Sequence, residues 1–325
     1  MKYSERETSH ISLRVSVTDR CQLNCLYCRP PEKDEKCFHQ DLLTFNEILN
    51  FVNFLNRNYG LSKVHITGGE PLMRCGIVDF TEKISKAGIT DIALTTNGQL
   101  LGEFAKDLKR AGLNRVNISL DSLDTDIFQR LTHSGKLIRT LAGIETAIDS
   151  GFDSIKLNTV VIRNRNDHEV MEIAEYGIAH HCHVRFLELM PFGLSAENFD
   201  DWFVSSDKIK NRLEETYEFR QLVGKSGGSS RDYMVRDSKG RTGIIGFISP
   251  ISAPFCSGCR RLRLTSDGRL LGCLARKEGF EIRSLLHNEN VSEEETLKKA
   301  VESALSVKHN SRSFNTRGTM AEIGG

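Results

Sequence analysis

The first two-thirds of the chain alternates short β-branched runs with longer stretches of helical periodicity. Apolar positions within the runs are closely spaced, which is typical of strands buried in a parallel sheet. The repeated strand–helix order predicts right-handed crossovers, and six units would either close partly into a barrel or remain an open sheet. The predicted strands are 11–17, 63–67, 90–96, 115–120, 155–161 and 184–189.

The stretches between these strands place apolar residues on one helical face. The clearest helix begins at Thr44, because Glu47 three residues later completes a capping-box pattern. The other predicted helices are 76–87, 100–111, 137–149 and 168–180.

The pattern changes in the last third of the chain. Residues 224–232 are rich in Gly and Ser, which predicts a flexible loop. We therefore expect a partial barrel over residues 1–220 and a second domain over residues 221–325. The elements predicted for the second domain are a hairpin around Tyr233–Val235 and Thr242–Ile248, and a helix from Ser292 to about Val307.

Composition excludes several classes of protein. The 325 residues are 39% hydrophobic and 27% charged, which is typical of a globular protein with a substantial core. The net charge of +1 predicts no general attraction to nucleic acid or to an anionic membrane. No apolar run approaches the roughly 20 residues of a membrane span, and the first ten residues lack a secretory signal. We expect a cytoplasmic protein that binds neither nucleic acid nor membranes.

Polar, glycine-rich and cysteine-rich segments follow five of the six predicted strands. In a parallel α/β sheet such segments share one face, where active sites form. The sequence therefore predicts one site built from several loops. Its segments are Cys21–Cys28, Gly68–Pro71, Thr95–Gly98, Ser119–Asp121 and Met190–Pro191.

The first of these segments contains three cysteines, Cys21, Cys25 and Cys28, spaced C-x3-C-x2-C. Three thiolates on a short loop can hold three irons of a cubane cluster and leave the fourth iron open to a ligand. A structural zinc site needs four ligands, for which His39 is a conceivable fourth. The isolated Cys37, Cys75 and Cys182 are interpreted as packing or surface thiols.

A second group, Cys256-x2-Cys259-x13-Cys273, again has three cysteines. His287 is the nearest histidine on its C-terminal side, so a second open cluster is favoured over zinc. If the stretch after Cys259 is a strand, Arg261 and Arg263 share one face. Two guanidinium groups beside a cluster would bind phosphate, whereas the alternative is a solvated basic strand.

The C-x3-C-x2-C spacing together with Gly-Gly-Glu-Pro at 68–71 resembles the radical S-adenosylmethionine superfamily. In that superfamily a reduced cluster gives one electron to S-adenosylmethionine, which splits into methionine and a 5′-deoxyadenosyl radical that abstracts hydrogen. The two glycines would let the backbone approach the methionyl moiety closely. The acidic residue would suit its ammonium group.

Nearly the whole chain resembles the MoaA family of GTP 3′,8-cyclases. That family converts GTP to (8S)-3′,8-cyclo-7,8-dihydroguanosine 5′-triphosphate, the first step of molybdenum cofactor biosynthesis. The resemblance implies an incomplete parallel (β/α)6 TIM-like barrel, whose mouth a C-terminal α+β extension closes. It also implies S-adenosylmethionine and two [4Fe–4S] clusters, the second binding guanine. The matching motifs are TDRC…C.YC.P at 18–30, TGGEPLMR at 67–74, TTNG at 95–98, SLD at 119–121, RF.E.MP at 185–191, FC..C.R.RL at 255–264 and the terminal IGG.

The resemblance also implies roles for individual residues. Arg185 would lie near the reacting centre as the catalytic residue. Arg14 and Lys156 lie inside apolar strands, where a buried cation needs a partner that a triphosphate would supply. The implied S-adenosylmethionine contacts are Tyr27, Gly69, Ser119 and Met190, of which Tyr27 and Met190 could instead be core residues. The implied GTP contacts are Arg14, His65, Thr96, Lys156, Arg261 and Arg263.

The chain departs from the family pattern at His65, where the family usually has arginine. Histidine is shorter, has fewer donors and is mostly neutral near pH 7, so either the triphosphate is held differently or the substrate differs. Another nucleotide or a peptide is the alternative substrate. A zinc-stabilised binding module is the alternative to an enzyme, although it would need a fourth ligand in each cysteine group.

Partners follow from the resemblance rather than from any surface feature. It implies an electron donor and a downstream pterin-forming enzyme, and it is compatible with a homodimer. It also implies that Gly324 and Gly325 reach the active site. Taken alone, a polar terminus of this kind is more typical of a frayed end.

Overall fold

One continuous sheet of twelve strands organises the computed structural model, which describes residues 11–28, 42–192, 194–223, 228–255, 259–275, 278–287 and 291–307. The strands are β1 Ile11–Ser16, β2 Leu61–Thr67, β3 Ile92–Thr96, β4 Arg115–Ser119, β5 Ser154–Val161, β6 His183–Glu188, β7 Tyr217–Gln221, β8 Arg231–Asp237, β9 Thr242–Ile248, β10 Arg261–Leu264, β11 Arg269–Leu271 and β12 Gly279–Glu281. The helices are α1 Phe45–Tyr59, α2 Ile77–Lys86, α3 Leu101–Arg110, α4 Thr125–Thr132, α5 Leu137–Asp149, α6 Val170–Ala179, α7 Leu194–Glu197, α8 Phe199–Trp202, α9 Ser206–Glu214 and α10 Val291–Ser306.

The strand order is β12-β11-β10-β1-β2-β3-β4-β5-β6-β9-β8-β7. Strands β1 to β6 are parallel and lie in chain order, as the repeated strand–helix pattern predicts. The C-terminal part extends both edges, because β10 pairs with β1 and β9 pairs with β6, each in parallel. Among the described strands β12 and β7 do not pair with each other, so the sheet stays open. The predicted incomplete barrel with an α+β extension is therefore confirmed.

Local sequence signals explain where several helices begin and end. Thr44 and Glu47 form the predicted capping box of α1, and Gly60 ends this helix in the left-handed conformation. The helices predicted over 76–87, 100–111, 137–149 and 168–180 are present as α2, α3, α5 and α6. Helix α4 was not predicted from the sequence, although Asp124 caps it by accepting hydrogen bonds from the N–H groups of Asp126 and Ile127.

The predicted hairpin and late helix are present as β8–β9 and α10. The predicted loop over 224–232 is wrong at its end, because Arg231 and Asp232 already belong to β8 and pair with Phe247 and Gly246. Residues 224–227 lie outside the described part of the chain. None of the helices that the structure describes is long and apolar enough to cross a membrane.

Alternation along the inner strands separates the core from the site. In β1, Leu13 and Val15 are fully buried among the core side chains, whereas Arg14 between them faces a cavity inside the barrel. In β2, Val64 and Ile66 are likewise in the core, and His65 lines the cavity. The strand period of two therefore places apolar residues against the helices and polar residues inside.

Candidate active site

A cavity of about 410 Å³ lies inside the open barrel and extends to the loops at the C-terminal ends of its strands. All but one of the residues to which the resemblance gave a role as cluster ligand, S-adenosylmethionine contact, GTP contact or catalytic residue line it, although these roles remain predictions. The exception, Cys256, lies outside the described residues. The lining residues among those proposed are Arg14, Cys21, Cys25, Tyr27, Cys28, His65, Gly69, Thr96, Ser119, Lys156, Arg185, Met190, Cys259, Arg261, Arg263 and Cys273.

The three cysteines after β1 face this cavity and influence one another. Burial raises the pKa of Cys25, and the charges of Asp121, Cys28 and Cys21 raise it further. Two N–H groups approach the Cys21 sulfur, from Leu23 at 3.4 Å and from the Asn97 side chain at 3.6 Å. Such donors suit a thiolate, so the chemistry of this loop fits a cluster. In the described residues, however, no three potential ligands are already gathered in coordinating geometry.

Tyr27 is anchored to the end of β4. Its hydroxyl donates to Asp121 Oδ2 at 2.6 Å, and Asp121 Oδ1 accepts the N–H of Val160 at 2.9 Å. Burial raises the pKa of Asp121 to about 6, although both hydrogen bonds lower it. Asp121 therefore holds the aromatic ring of the cysteine loop against the barrel mouth. Asp121 is part of the SLD motif, but no role was predicted for it from the sequence.

The glycine pair after β2 is explained by close packing. A Cβ at Gly69 would lie 2.4 Å from the carbonyl oxygen of Arg20, so no side chain fits there without movement. The Gly69 N–H donates to the Thr18 carbonyl at 2.6 Å, and the Glu70 N–H donates to the Arg20 carbonyl at 2.7 Å. These contacts lock the loop after β2 onto the start of the cysteine loop.

Glu70 braces the loops rather than facing a ligand. Its carboxylate accepts the Thr96 hydroxyl at 2.7 Å, the Asn97 N–H at 2.8 Å and the Leu72 N–H at 3.1 Å. Burial nevertheless raises its pKa to about 7. The side chain is fully buried and is not among the cavity-lining residues, so the expected match to an ammonium group is not what the geometry shows. Thr96 is held by the same carboxylate.

Basic side chains from six strands line the cavity. Burial, together with neighbouring guanidinium groups, lowers the pKa of Arg263 to about 9 and that of Arg185 to about 10. The pKa of Arg14 is lowered in the same way, first by burial and then by Arg263 beside it in the register. A wall of mutually repelling cations favours a polyanionic ligand. Its members are Arg14, Lys63, Arg115, Lys156, Arg185, Arg261 and Arg263.

Two members of this basic wall were missed from the sequence. Lys63 lies on β2 two residues before His65 and thus on the same face, which is the signal that could have identified it. Burial lowers its pKa to about 7. Arg115 lies at the start of β4 and forms an ion pair with Asp91.

A row of hydrogen-bonded polar side chains crosses the inner face of the barrel from β2 to β6. His65 Nε2 lies 2.7 Å from Thr95 Oγ1 and 2.9 Å from Asn117 Nδ2. The Arg185 guanidinium donates from Nη2 to Asn117 Oδ1 and from Nε to Asn158 Oδ1, each at 2.9 Å. The side chain expected to be catalytic is thus held by amides from two neighbouring strands.

The second cysteine group flanks the hairpin β10–β11. Cys259 precedes β10, Cys273 follows β11, and both charges raise the pKa of Arg263 against its burial, so all three lie near one another. Arg261 and Arg263 both line the cavity, while Leu262 between them is fully buried, which confirms their predicted common face.

The buried Glu188 carboxylate fixes the segment that leads towards Cys259. It accepts the N–H groups of Ser206, Ile251 and Ser252 at 2.9, 3.1 and 3.0 Å. The end of β6 is thereby tied to α9 and to the loop after β9. Barrel and extension consequently meet at the cavity.

Two further cysteines, Cys75 and Cys182, do not line the cavity. Cys182 is buried in the core and Cys75 is exposed, in agreement with their interpretation as packing and surface thiols. His287 lies 3.3 Å from the Glu47 carboxylate. Cys37, His39, Gly324 and Gly325 lie outside the described residues.

Comparison with known families identifies the class of protein. The radical SAM superfamily model matches residues 15–177, and the model described as Molybdenum Cofactor Synthesis C matches residues 182–314. The crystal structure of Streptococcus suis SuiB bound to S-adenosylmethionine is similar with a TM-score of 0.56 at 13% identity. The similarity covers 87% of this chain and 64% of SuiB, and it shows a shared fold. The chain belongs to the radical SAM superfamily.

Curated relatives narrow the family further. The GTP 3′,8-cyclase of Desulforamulus reducens is 41% identical over 323 residues, covering 96% of this chain and 97% of the relative. The GTP 3′,8-cyclase of Geobacter sulfurreducens is 43% identical over 276 residues, covering 84% and 83%. Within the superfamily the chain therefore belongs to the GTP 3′,8-cyclase family, which confirms the resemblance noted from the motifs.

Proposed function

We propose that this protein converts GTP to (8S)-3′,8-cyclo-7,8-dihydroguanosine 5′-triphosphate, the first step of molybdenum cofactor biosynthesis. The observation that carries the proposal is that one cavity has three thiols at its mouth, two further thiols in its wall and a basic inner face. The named relatives are enzymes acting on GTP, which favours a nucleotide over a peptide and an enzyme over a zinc-stabilised module.

Cys21, Cys25 and Cys28 would hold the [4Fe–4S] cluster that membership of the superfamily implies. When bound, this cluster supplies the electron that splits S-adenosylmethionine into methionine and the 5′-deoxyadenosyl radical. Tyr27, Gly69, Ser119 and Met190 would contact S-adenosylmethionine; all four line the cavity. The contact between Tyr27 and Asp121 would keep the aromatic ring in place.

Cys256, Cys259 and Cys273 would hold a second cluster, whose open iron would supply a binding point for guanine. The placement of Cys259 and Cys273 in the cavity wall beside Arg263 supports this assignment. Arg14, Lys156, Arg261 and Arg263 would together offset a triphosphate charge near −4, with Lys63 adjoining them. Arg185, fixed by two amides, would lie near the ribose.

Residues 1–220 would form the partial barrel and residues 221–325 the part that closes it. The pairing of β9 and β10 with opposite edges of the barrel supports this division. We further propose a cytoplasmic location, an external electron donor and a downstream enzyme that forms the pterin from the cyclised nucleotide. The proposal is compatible with a homodimer.

The function is tested by an anaerobic assay of the reconstituted protein with S-adenosylmethionine, dithionite and GTP. Mass spectrometry should find 5′-deoxyadenosine and an isomer of GTP that becomes a pterin after acid treatment. The Cys25→Ser variant is the control, and it should form neither product because the first cluster loses a ligand. 5′-Deoxyadenosine without the GTP isomer would reject GTP as the substrate and retain a radical enzyme.

GTP affinity should fall as the pH rises from 7 to 9. Burial and neighbouring cations lower the pKa of Lys63 to about 7 and that of Lys156 to about 8. Both lysines are therefore charged below pH 7 and lose their protons above it, whereas the triphosphate binds best when they are charged. Linkage predicts up to about a tenfold loss of affinity per pH unit for each lysine.

Calorimetry without S-adenosylmethionine measures this effect in the absence of turnover. Lys156→Arg should reduce the slope, because the ordinary pKa of arginine lies at least about two units above that of lysine, so the guanidinium keeps more of its charge between pH 7 and pH 9. The exposed Lys106→Arg is the matched control and should leave the slope unchanged. An affinity that is equal at pH 7 and pH 9 would contradict a role for these lysines in phosphate binding.

A further inference from the structure

The hydrogen bonds around His65 determine which of its nitrogens carries the proton. Asn117 Oδ1 accepts from the Arg185 guanidinium at 2.9 Å, so the Asn117 amide must point its NH2 group the other way, towards His65. A proton on His65 Nε2 would then face that NH2 group at 2.9 Å, donor against donor, whereas an unprotonated Nε2 can accept from this NH2 group and from the Thr95 hydroxyl at 2.7 Å. Nε2 is therefore an acceptor, and the imidazole carries its proton on Nδ1.

The surroundings of His65 also exclude the charged imidazolium. The residue lies half-buried on the inner face of the barrel. Its pKa is lowered well below the ordinary value, first by burial. The charges of Arg14, Lys63, Arg261 and Arg185 lower it further. A neutral acceptor is the form that both the hydrogen bonds and the charges favour.

We propose that His65 is a positioning residue that acts through Asn117 on Arg185. The imidazole orients the Asn117 amide, whose oxygen then holds the Arg185 guanidinium, while Asn158 holds the same group from the other side. Two of the five N–H groups of Arg185 are used in these bonds, so the direction of the others into the cavity is fixed. The inference rests on the proposed GTP cyclisation for its substrate, but not for its geometry.

The departure from the family pattern then has a physical consequence. Arginine has no acceptor, so an arginine at position 65 would meet the Asn117 NH2 group with donors only. The amide would turn its oxygen towards the new guanidinium and release Arg185. His65→Arg should thus disorder Arg185 in this chain, even though it adds a cation to the phosphate-binding face.

The choice of variants separates hydrogen bonding from shape and charge. In His65→Gln, the glutamine Oε1 can replace Nε2 as acceptor at a similar reach from the backbone. His65→Asn also carries an acceptor, but its side chain is too short to reach Asn117. His65→Arg restores the charge and removes the acceptor. Iron content and the thermal midpoint of all three variants, compared with those of the wild type, report whether the fold and clusters are intact.

Steady-state kinetics with GTP give the first measurement. We expect His65→Gln to keep kcat within about threefold, and His65→Asn and His65→Arg to lose about 10- to 100-fold in kcat with little change in KM. Formation of 5′-deoxyadenosine should continue without cyclisation in the two impaired variants. A His65→Arg enzyme as active as the wild type, or with a lower KM, would overturn the positioning role in favour of direct phosphate contact.

The second measurement does not depend on substrate. In protein labelled with ¹⁵N-histidine, the His65 signal, identified by its loss in His65→Gln, should have the shift of an unprotonated Nε2 from pH 6 to 8. A protonated Nε2 would overturn the inference whatever the substrate is. A wild type with the expected shift but no cyclised product would instead reject the proposed function and leave the geometry of the His65–Asn117–Arg185 chain supported.

Discussion

Replacing both Cys259 and Cys273 by serine is expected to abolish cyclisation of GTP while leaving cleavage of S-adenosylmethionine measurable. Both thiols line the wall of the cavity beside Arg263, whereas the cysteine loop after β1 forms its mouth. Serine is a poor ligand for iron, so the proposed second cluster should be lost and the first retained. GTP would then lack its proposed anchor, and the radical would form without a correctly placed ribose.

Iron content and product analysis distinguish this outcome from general misfolding. Iron should fall from about eight to about four atoms per chain, with 5′-deoxyadenosine still formed. Cys75→Ser is the matched control, because Cys75 is exposed and lies outside the cavity, and it should change neither quantity. Normal cyclisation by the double variant would show that the second cysteine group does not hold the substrate.

The parallel barrel was predictable because its evidence is local. Each inner strand is a short β-branched run, and the capping box of α1 is readable from Thr44 and Glu47 alone. Alternation then assigns Arg14 and His65 to the inner face without reference to any other strand. What the sequence could not provide is the pairing of β10 with β1, since that contact joins residues about 250 positions apart.

The site could be predicted as a list of residues but not as a set of contacts. The cysteine spacing and the Gly-Gly pair identified the mouth of the cavity from sequence. The partners of the Glu70 carboxylate could not be predicted, because one of them is the backbone N–H of Asn97, in the loop that follows β3. The same holds for His65. Its protonation state depends on the orientation of the Asn117 amide, which Arg185 fixes from β6, four strands away.

Gly69→Ala is expected to lower S-adenosylmethionine cleavage by about 100-fold or more while leaving GTP binding nearly intact. The added Cβ would lie 2.4 Å from the Arg20 carbonyl oxygen and 2.7 Å from that of Asp19, and backbone atoms cannot move aside as a flexible side chain can. The loop after β2 must therefore shift away from the cysteine loop. Displacements near 1 Å at a reacting centre can reduce rates by about 100-fold.

Gly102→Ala is the matched control, since its Cβ would meet only Thr146 Oγ1, at an ordinary 3.7 Å. Gly102 is exposed near the start of α3, so alanine there should raise the free energy of unfolding by about 0.5–1 kcal/mol without affecting activity. GTP binding by Gly69→Ala should persist because the basic wall lies mainly on the strands rather than on the displaced loop. Full cleavage activity in Gly69→Ala would mean that the two loops need not interlock for S-adenosylmethionine to be held.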